Sequence, residues 1–559
     1  MNIEEVQRRL WEQSQAHKRS RETVGTLFAE DPREHRIRNL SDLMHHPDWL
    51  RAACDKVLVR SKGKAAGVDH VTVSKFMEGL EGKLEGLRLE LKRGTYRPQP
   101  VRRVMIPKAN GKLRPLGIPC LRDKIVQEAM RMALEPIFEV EFHRDSYGFR
   151  PHRSAHHAVF RCQNLMRHKF AWVIEGDVKA CFDEIAHKAI LKCLREKIMD
   201  NRFLDLLTRC LKAGVMVDGV VQPTDKGVPQ GGVLSPLLAN VVLTKLDWFL
   251  HGKGLHGAAR DANYHRGSVR EDMRFARYAD DWCVFVTRSN RRKVEQLRED
   301  IRQFLKATCG LELSMEKTKV THVGDGFDFL GFHLAREVGQ SGALVPKIKV
   351  GDKAKRNIRL RLDEALRYRP AQESMTVRVM RANQVIRGWR EYFRVAHDLS
   401  EMAGSLDHYA LWSAAKAACR KFDIPSGKCF KRFYRNGGFQ VDENCRLVQF
   451  SGTPMKLDYR GPEEYVPGRG VYLEDDELEP THHFSEKGNR RMGGADLRWD
   501  ALKRDDYVCR MCGGDVSAQT AQVDHIVPVS RFASFREAHT LDNLQTLCVG
   551  CHTDKTHRK

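Results

Sequence analysis

The chain has 559 residues, more than one ordinary hydrophobic core can organise, so about two to four domains are expected. A hydrophobic fraction of 41% is that of a globular protein, and the chain shows neither an internal repeat nor an extended low-complexity tract. Lysine and arginine number 96 against 73 aspartates and glutamates; the net charge of +23 predicts a polyanionic partner, because each phosphate neutralised releases a condensed counterion.

Residues 1–60 read as an amphipathic, helical amino-terminal extension ending near His46-Pro47-Asp48-Trp49, with no apolar signal core. No run approaches the roughly 18 apolar residues of a membrane span, so a soluble, intracellular protein without a membrane partner is expected. After the glycine-punctuated loop 61–69, residues 61–345 alternate irregularly between strands and helices, as in an α+β domain. Residues 346–428 read as all-helical. Met375, Val379, Ala382, Ile386, Trp389 and Phe393 repeat at four, three, four, three, four and form one helix face; Arg378, Arg381, Arg387, Arg390 and Arg394 lie off it, on a solvated or phosphate-contacting side. Residues 429–495 begin with a basic, aromatic, glycine-containing module (Lys431-Arg432-Phe433-Tyr434-Arg435) and run into an acidic linker at Glu474-Asp475-Asp476-Glu477. A compact unit follows at 496–559. Of 15 cysteines, four are bunched there; the rest, such as Cys181 and Cys283, sit in core-like contexts where a reduced thiol acts as a small hydrophobe.

Chemistry enters at Tyr278-Ala279-Asp280-Asp281, between apolar runs 274–278 and 282–287. Adjacent carboxylates at a hairpin tip repel and raise each other's pKa, and a bound divalent metal relieves that. Upstream, the apolar strand Ala171-Trp172-Val173-Ile174-Glu175-Gly176-Asp177 also ends in an aspartate. If Asp177 faces Asp280 and Asp281 across neighbouring strands, the three can hold two Mg²⁺ ions for an in-line phosphoryl displacement.

Seven ordered motifs resemble those of reverse transcriptases, and more narrowly of group II intron-encoded proteins. They are Ile106-Pro107-Lys108 with Gly111-Lys112-Leu113-Arg114-Pro115, Ser146-Tyr147-Gly148-Phe149-Arg150-Pro151, Asp177-Val178-Lys179-Ala180-Cys181-Phe182-Asp183, Gly227-Val228-Pro229-Gln230-Gly231-Gly232, Tyr278–Asp281, Ser314-Met315-Glu316-Lys317-Thr318-Lys319 and Phe329-Leu330-Gly331-Phe332. The resemblance implies right-hand polymerase fingers and palm over 61–345 and an α-helical thumb, or maturase, domain over 346–428, where Gln384-Val385-Ile386-Arg387-Gly388-Trp389-Arg390 resembles the maturase signature. Asp177, the Val178 backbone, Asp280 and Asp281 are then expected to ligate Mg²⁺. Lys108 and Arg114 would clamp the triphosphate of an incoming dNTP, and Lys317 would add a further phosphate contact. Phe182 would lie under the sugar and exclude a 2′-hydroxyl; Gln230 and Gly231 would line the nascent base pair.

The last sixty or so residues carry a second constellation. Cys509-Arg510-Met511-Cys512 pairs with Cys548-Val549-Gly550-Cys551, and two such pairs are a strong signal for a four-thiolate structural zinc site in a unit too small to build a core alone. Between and after them, Asp524-His525, Asn543 and His552 resemble the HNH endonuclease ββα-metal site. The resemblance implies that His525 is the general base, that Asp524 and His552 hold one divalent cation, and that Asn543 orients His525 or braces the loop.

The combined expectation is a multifunctional protein of a ribonucleoprotein particle in a bacterial cytoplasm. It would be an RNA-directed DNA polymerase, a maturase that grips intron RNA, and a nuclease that nicks target DNA to supply a primer. The module at 429–495 would contact that DNA. Two alternatives compete: a splicing-only RNA-binding maturase, and another bacterial reverse transcriptase such as a retron, diversity-generating or CRISPR-associated enzyme. The intact carboxylates disfavour the first; the thumb signature and HNH tail disfavour the second.

Overall fold

The computed structural model describes residues 1–22, 36–107, 113–168, 170–217, 220–222, 224–229, 231–253, 273–287, 291–339, 342–369, 372–443, 445–452, 462, 465, 501–502, 504–505, 508–513, 522–527, 540–548 and 551. It divides into a large unit, Met1–Leu457 with Pro462–Asp475, and a small one, Asp458–Gly461 with Asp476–Lys559. Among the described residues no helix is long and apolar enough to cross a membrane.

The large unit begins with helices Ile3–Glu22 and Pro47–Ser61. The second starts where the sequence suggested an end: Pro47 takes the first helical position, where its preset φ helps and its missing N–H costs nothing, and Asp48 lies in the first turn. Its buried stripe, Trp49, Leu50, Ala53, Cys54, Val57 and Leu58, packs on helix Leu121–Glu139, and Trp49 Nε1 donates to the Ala129 carbonyl at 3.0 Å. Ser14 Oγ and Gln7 Nε2 likewise donate to the carbonyls of Ile137 and Met132. The amino-terminal helices thus share one core with residues 121–139.

Two sheets follow. Strands β1 (Val101–Pro107) and β2 (Leu113–Ile118) form an antiparallel hairpin with Ile106 opposite Arg114. Strand β3 (Phe170–Asp177) enters the second sheet, and β4 (Val215–Val217) and β5 (Val220–Gln222) complete the first in the order β2-β1-β4-β5. Strands β6 (Met273–Tyr278), β7 (Asp281–Thr287) and β8 (Lys319–His322) join β3 in the order β6-β7-β3-β8, all antiparallel. This second sheet carries the strand-ending Asp177 and the Tyr278–Asp281 box. Residues 282–285 of β7 are all buried, so the strand reads as an unbroken apolar run.

A smaller sheet, β9 (Phe327–Phe329), β10 (Phe332–Val338) and β11 (Leu344–Val350), leads into helices Asp352–Leu366, Met375–Phe393 and Leu399–Phe422. The face marked in the sequence is the buried one: Met375, Val379, Ala382, Ile386 and Phe393 are all core residues, with Trp389 half-buried. Arg378 departs from the expected outer side. It is buried, and its Nη1 reaches the Leu366 carbonyl at 3.3 Å, satisfying the end of the preceding helix. Helix Ser426–Phe433 and the strands β12 (Tyr434–Arg435), β13 (Gly438–Asp442) and β14 (Cys445–Arg446) extend this core through Cys429, Phe433, Phe439 and Phe450.

In the small unit, β15 (Gln522–His525) pairs antiparallel with β16 (Leu544–Leu547). Buried Asp505 accepts from Thr546 N–H at 2.8 Å, and Arg504 donates to the Leu541 and Leu544 carbonyls at 2.7 Å each, tying Arg504 and Asp505 to β16 and the turn before it.

Phe439→Ala removes a ring that is 1% exposed inside the helical core. We expect a loss of about 3–5 kcal/mol, with the 372–450 region unfolding as one transition in denaturant. Selective loss of residues 438–447, seen by hydrogen exchange with the helices intact, would show that the two do not share a core.

Candidate functional site

The register of the second sheet decides where the carboxylates meet. Asp177, the last residue of β3, lies directly opposite Asp281, the first of β7, and Tyr278 opposite Asp281 closes the β6–β7 turn through Ala279 and Asp280. Ala279 takes φ of 58° and Asp280 does not share it, as in tight hairpins with positive φ only at the first central position.

This unfavourable turn is held from beneath. Arg277 is fully buried and donates to both carboxylate oxygens of fully buried Asp247 at 2.7 Å. Its Nη1 also reaches Asn240 Oδ1 at 2.9 Å and the Ala279 carbonyl at 2.8 Å. Asn240 in turn donates to the Gly148 carbonyl at 2.8 Å. Gly148 lies against the turn so closely that a Cβ there would stand 2.3 Å from Ala279 N.

The electrostatics follow from this convergence. Protein crowding, the neighbouring Asp280 and then Asp177 push Asp281 up to about 6, even though its side chain reaches solvent. Burial also raises Asp280; Asp177 adds to the rise, and the guanidinium groups of Arg114 and Arg277 oppose it. Lys317 Nζ sits 2.9 Å from Asp177 Oδ2, and that hydrogen bond raises the lysine's pKa. Arg114, exposed on β2, is therefore electrostatically coupled to the carboxylates, as is Lys353 at the start of helix Asp352–Leu366. Val178 buries its side chain, and the backbone bonds around it run from Lys179 N to Glu312 O and from Ser314 N to Asp177 O, leaving its carbonyl out.

Phe182 stands edge-on to Phe149, with ring centroids 6.3 Å apart, and Phe149 is 6.5 Å from Tyr278. Val228 N–H donates to the Phe182 carbonyl at 2.7 Å, so Gly227 and Val228 lean on the turn that carries Phe182. Gly231, at φ 105°, passes so close to β2 that a Cβ would meet the Gly117 carbonyl at 2.6 Å. Lys108 and Gln230 lie outside the described residues, as does His552.

In the small unit the sulfurs of Cys509, Cys512, Cys548 and Cys551 all lie within 4.8 Å of one another, a donor set that fits zinc. Burial pushes the Cys509 thiol up, but backbone N–H groups aimed at its sulfur outweigh this and bring it down to about 6, favouring the thiolate a metal needs. Asp524 and His525 end β15, with His525 opposite Leu544. Asn543 braces the next residues: its Oδ1 accepts from Val527 N–H at 2.8 Å, its Nδ2 donates to the Val527 carbonyl at 3.2 Å, and its own carbonyl accepts from Ile526 N–H at 2.7 Å.

Three family descriptions match the chain in order: reverse transcriptase (RNA-dependent DNA polymerase) over residues 106–334, the group II intron maturase-specific domain over 355–435, and HNH endonuclease over 509–558. Among curated proteins, YkfC of Escherichia coli K12 is 43% identical over 341 residues, 57% of this chain and 89% of YkfC. The group II intron-encoded protein LtrA of Lactococcus lactis is 31% identical over 353 residues, 54% of this chain and 57% of LtrA. The putative COX1/OXI3 intron 2 protein of Saccharomyces cerevisiae is 28% identical over 587 residues, 91% of this chain and 65% of that protein.

The chain belongs to the group II intron-encoded proteins.

Sequence reasoning about this group II intron-encoded protein found the carboxylates but not the platform under them. The signal was present: Arg277 interrupts an apolar strand and Asp247 an apolar helix, and each needed a buried partner. Lys353 gave no such signal, because only the chain's return from β11 brings it near Asp281.

The raised pKa of Asp281 has a definite sign. The folded state holds this proton more tightly than the unfolded chain, so its contribution to stability falls as pH rises from about 4 to about 6 and stays lost above. A divalent cation relieves the repulsion. Millimolar Mg²⁺ should therefore raise the thermal midpoint more at pH 7.5 than at pH 5, and Asp281→Asn should shrink that difference; equal shifts at both pH values in scanning fluorimetry would refute the assignment.

Proposed function

We propose that this protein copies RNA into DNA at Asp177, Asp280 and Asp281, assists intron splicing through its helical domain, and cuts DNA at His525. The observation that carries the first part is the register pair Asp177–Asp281 with Asp280 beside it, three carboxylates repelling one another where the β6–β7 turn meets the end of β3. Their oxygens and the Val178 carbonyl suit two Mg²⁺ ions, which when bound would activate a primer 3′-hydroxyl and neutralise charge on the leaving pyrophosphate.

The chain's own groups do the rest. Arg114, with Lys108 proposed from its motif, holds the triphosphate of a dNTP from the β1–β2 hairpin. Lys317, released from Asp177 once the carboxylates are neutralised, turns to phosphate. Phe182, wedged upright by Phe149, fills the space a 2′-hydroxyl would need. Gln230 and Gly231 line the nascent base pair, and the absence of a Cβ at Gly231 lets backbone approach it.

In the small unit, His525 takes a proton from the attacking water at an imidazole nitrogen, on a β15 end that Asn543 braces. Asp524 and His552 would hold one divalent cation against the scissile phosphate, and the four cysteines a structural zinc. Residues 61–345 serve as fingers and palm, 346–428 as thumb and maturase domain, 429–495 as DNA-contacting region and linker, and 496–559 as nuclease, with 1–60 bracing the polymerase. Intron RNA inserts into one DNA strand, the nuclease cuts the other, and the polymerase copies from the new end.

Asp280→Ala should reduce primer extension on an RNA template by at least about a hundredfold while intron binding and splicing persist; parallel loss of splicing would show that the two functions are not separable. His525→Ala should stop second-strand cleavage yet leave extension from a pre-nicked substrate unchanged, and persistent cleavage would remove His525 from its role.

A further inference from the structure

A surface on the helical domain pairs exposed rings with exposed cations. Trp412, on helix Leu399–Phe422, is 38% exposed, and Tyr434, at the start of β12, is 44% exposed. Phe430 bridges them, its ring centroid 5.1 Å from Trp412 and 6.1 Å from Tyr434. The row is held in place. Trp412 Nε1 donates to His408 Nε2 at 2.8 Å one turn earlier, and Cys429 and Phe433, either side of Phe430, are buried in the core.

Lys416 lies one turn beyond Trp412, and Lys431 and Arg435 each follow one of the other two rings. All three are exposed and form no ion pair with any described residue. The stretch 426–435 contains no acidic residue at all.

Trp412 and Tyr434 are kept partly in water here, with exposed cations close to them in the chain. Two partner chemistries are satisfied together only by a polymer that alternates flat apolar faces with phosphates. In a duplex both faces of each base are already stacked, so the partner must be unpaired.

We propose that Trp412, Phe430 and Tyr434 form a stacking platform for unpaired nucleotides, with Lys416, Lys431 and Arg435 on their phosphates. This rests on the reading of 429–495 as DNA-contacting and deepens it. The ligand is a single strand, the platform begins within the helical domain, and it is separate from the polymerase carboxylates.

The test uses the full chain with its polymerase cleft saturated by a short primer–template duplex. Fluorescent twelve-nucleotide (about one platform length plus flanks) oligo-dT and oligo-U are then titrated in parallel, which separates DNA from RNA as the source of the strand. Replacing Trp412 and Tyr434 together by Ala should weaken at least one of them by about tenfold. Trp412→Phe with Tyr434→Phe should restore most of that affinity, and the alanine pair should weaken single-strand binding more than blunt-duplex binding. Photo-crosslinks from 4-thiothymidine or 4-thiouridine should map to peptides within 399–435. An alanine variant that binds both oligonucleotides like the parent, an equal loss on blunt duplex, or crosslinks confined to other regions would overturn the proposal. Binding to duplex target DNA, measured alongside, reports separately on the wider DNA-contacting reading.

Discussion

Arg277 meets Asp247 through two hydrogen bonds of 2.7 Å where neither side chain touches water. Such a pair adds little net stability over an apolar replacement, but removing one partner strands a buried charge at a cost of about 3–5 kcal/mol. Its placement explains its presence. The same guanidinium holds the Ala279 carbonyl, and its backbone bonds to Asp145 and Tyr147, so β6, the Gly148 segment and helix Ser235–Lys253 all converge under the turn. Carboxylates that repel one another stay together only on a base that cannot yield.

That base allows the charge balance above it to remain unsettled. Asp280 and Asp281 are held with raised pKa values, and Arg114, Lys317 and Lys353 supply positive charge from three different elements. The small unit solves a related problem with sulfur. Four cysteines come within 4.8 Å of each other, and N–H groups turned toward Cys509 favour its thiolate. Each unit gathers groups of like charge at one point, where a bound cation would offset their repulsion.

The sequence made the chemistry more legible than its support. The convergence of Asp177 on the Tyr278–Asp281 box and the clustering of the four cysteines could be read because their residue types and spacings are particular. The helix at 375–393 could be read because its apolar period is strong. What stayed hidden depends on contacts between distant parts of the chain. Pro47 looked like a terminator and is an initiator, since a proline stops one helix and starts another with equal ease. Arg378 counted as surface by its phase, yet it caps the helix before it. The basic module after residue 429 looked separate because nothing local announces that Phe439 and Phe450 complete a core begun at Ile358.

The amino-terminal helices bear on how the chain is born. Trp49, Ser14 and Gln7 find their partners on residues 129–137, about eighty or more positions later. Emerging from the ribosome, these helices lack their main apolar partner until helix Leu121–Glu139 has followed them. For the several seconds this takes at ordinary elongation rates, the apolar stripe of an amphipathic segment stays uncovered, open to misassembly until its partner arrives.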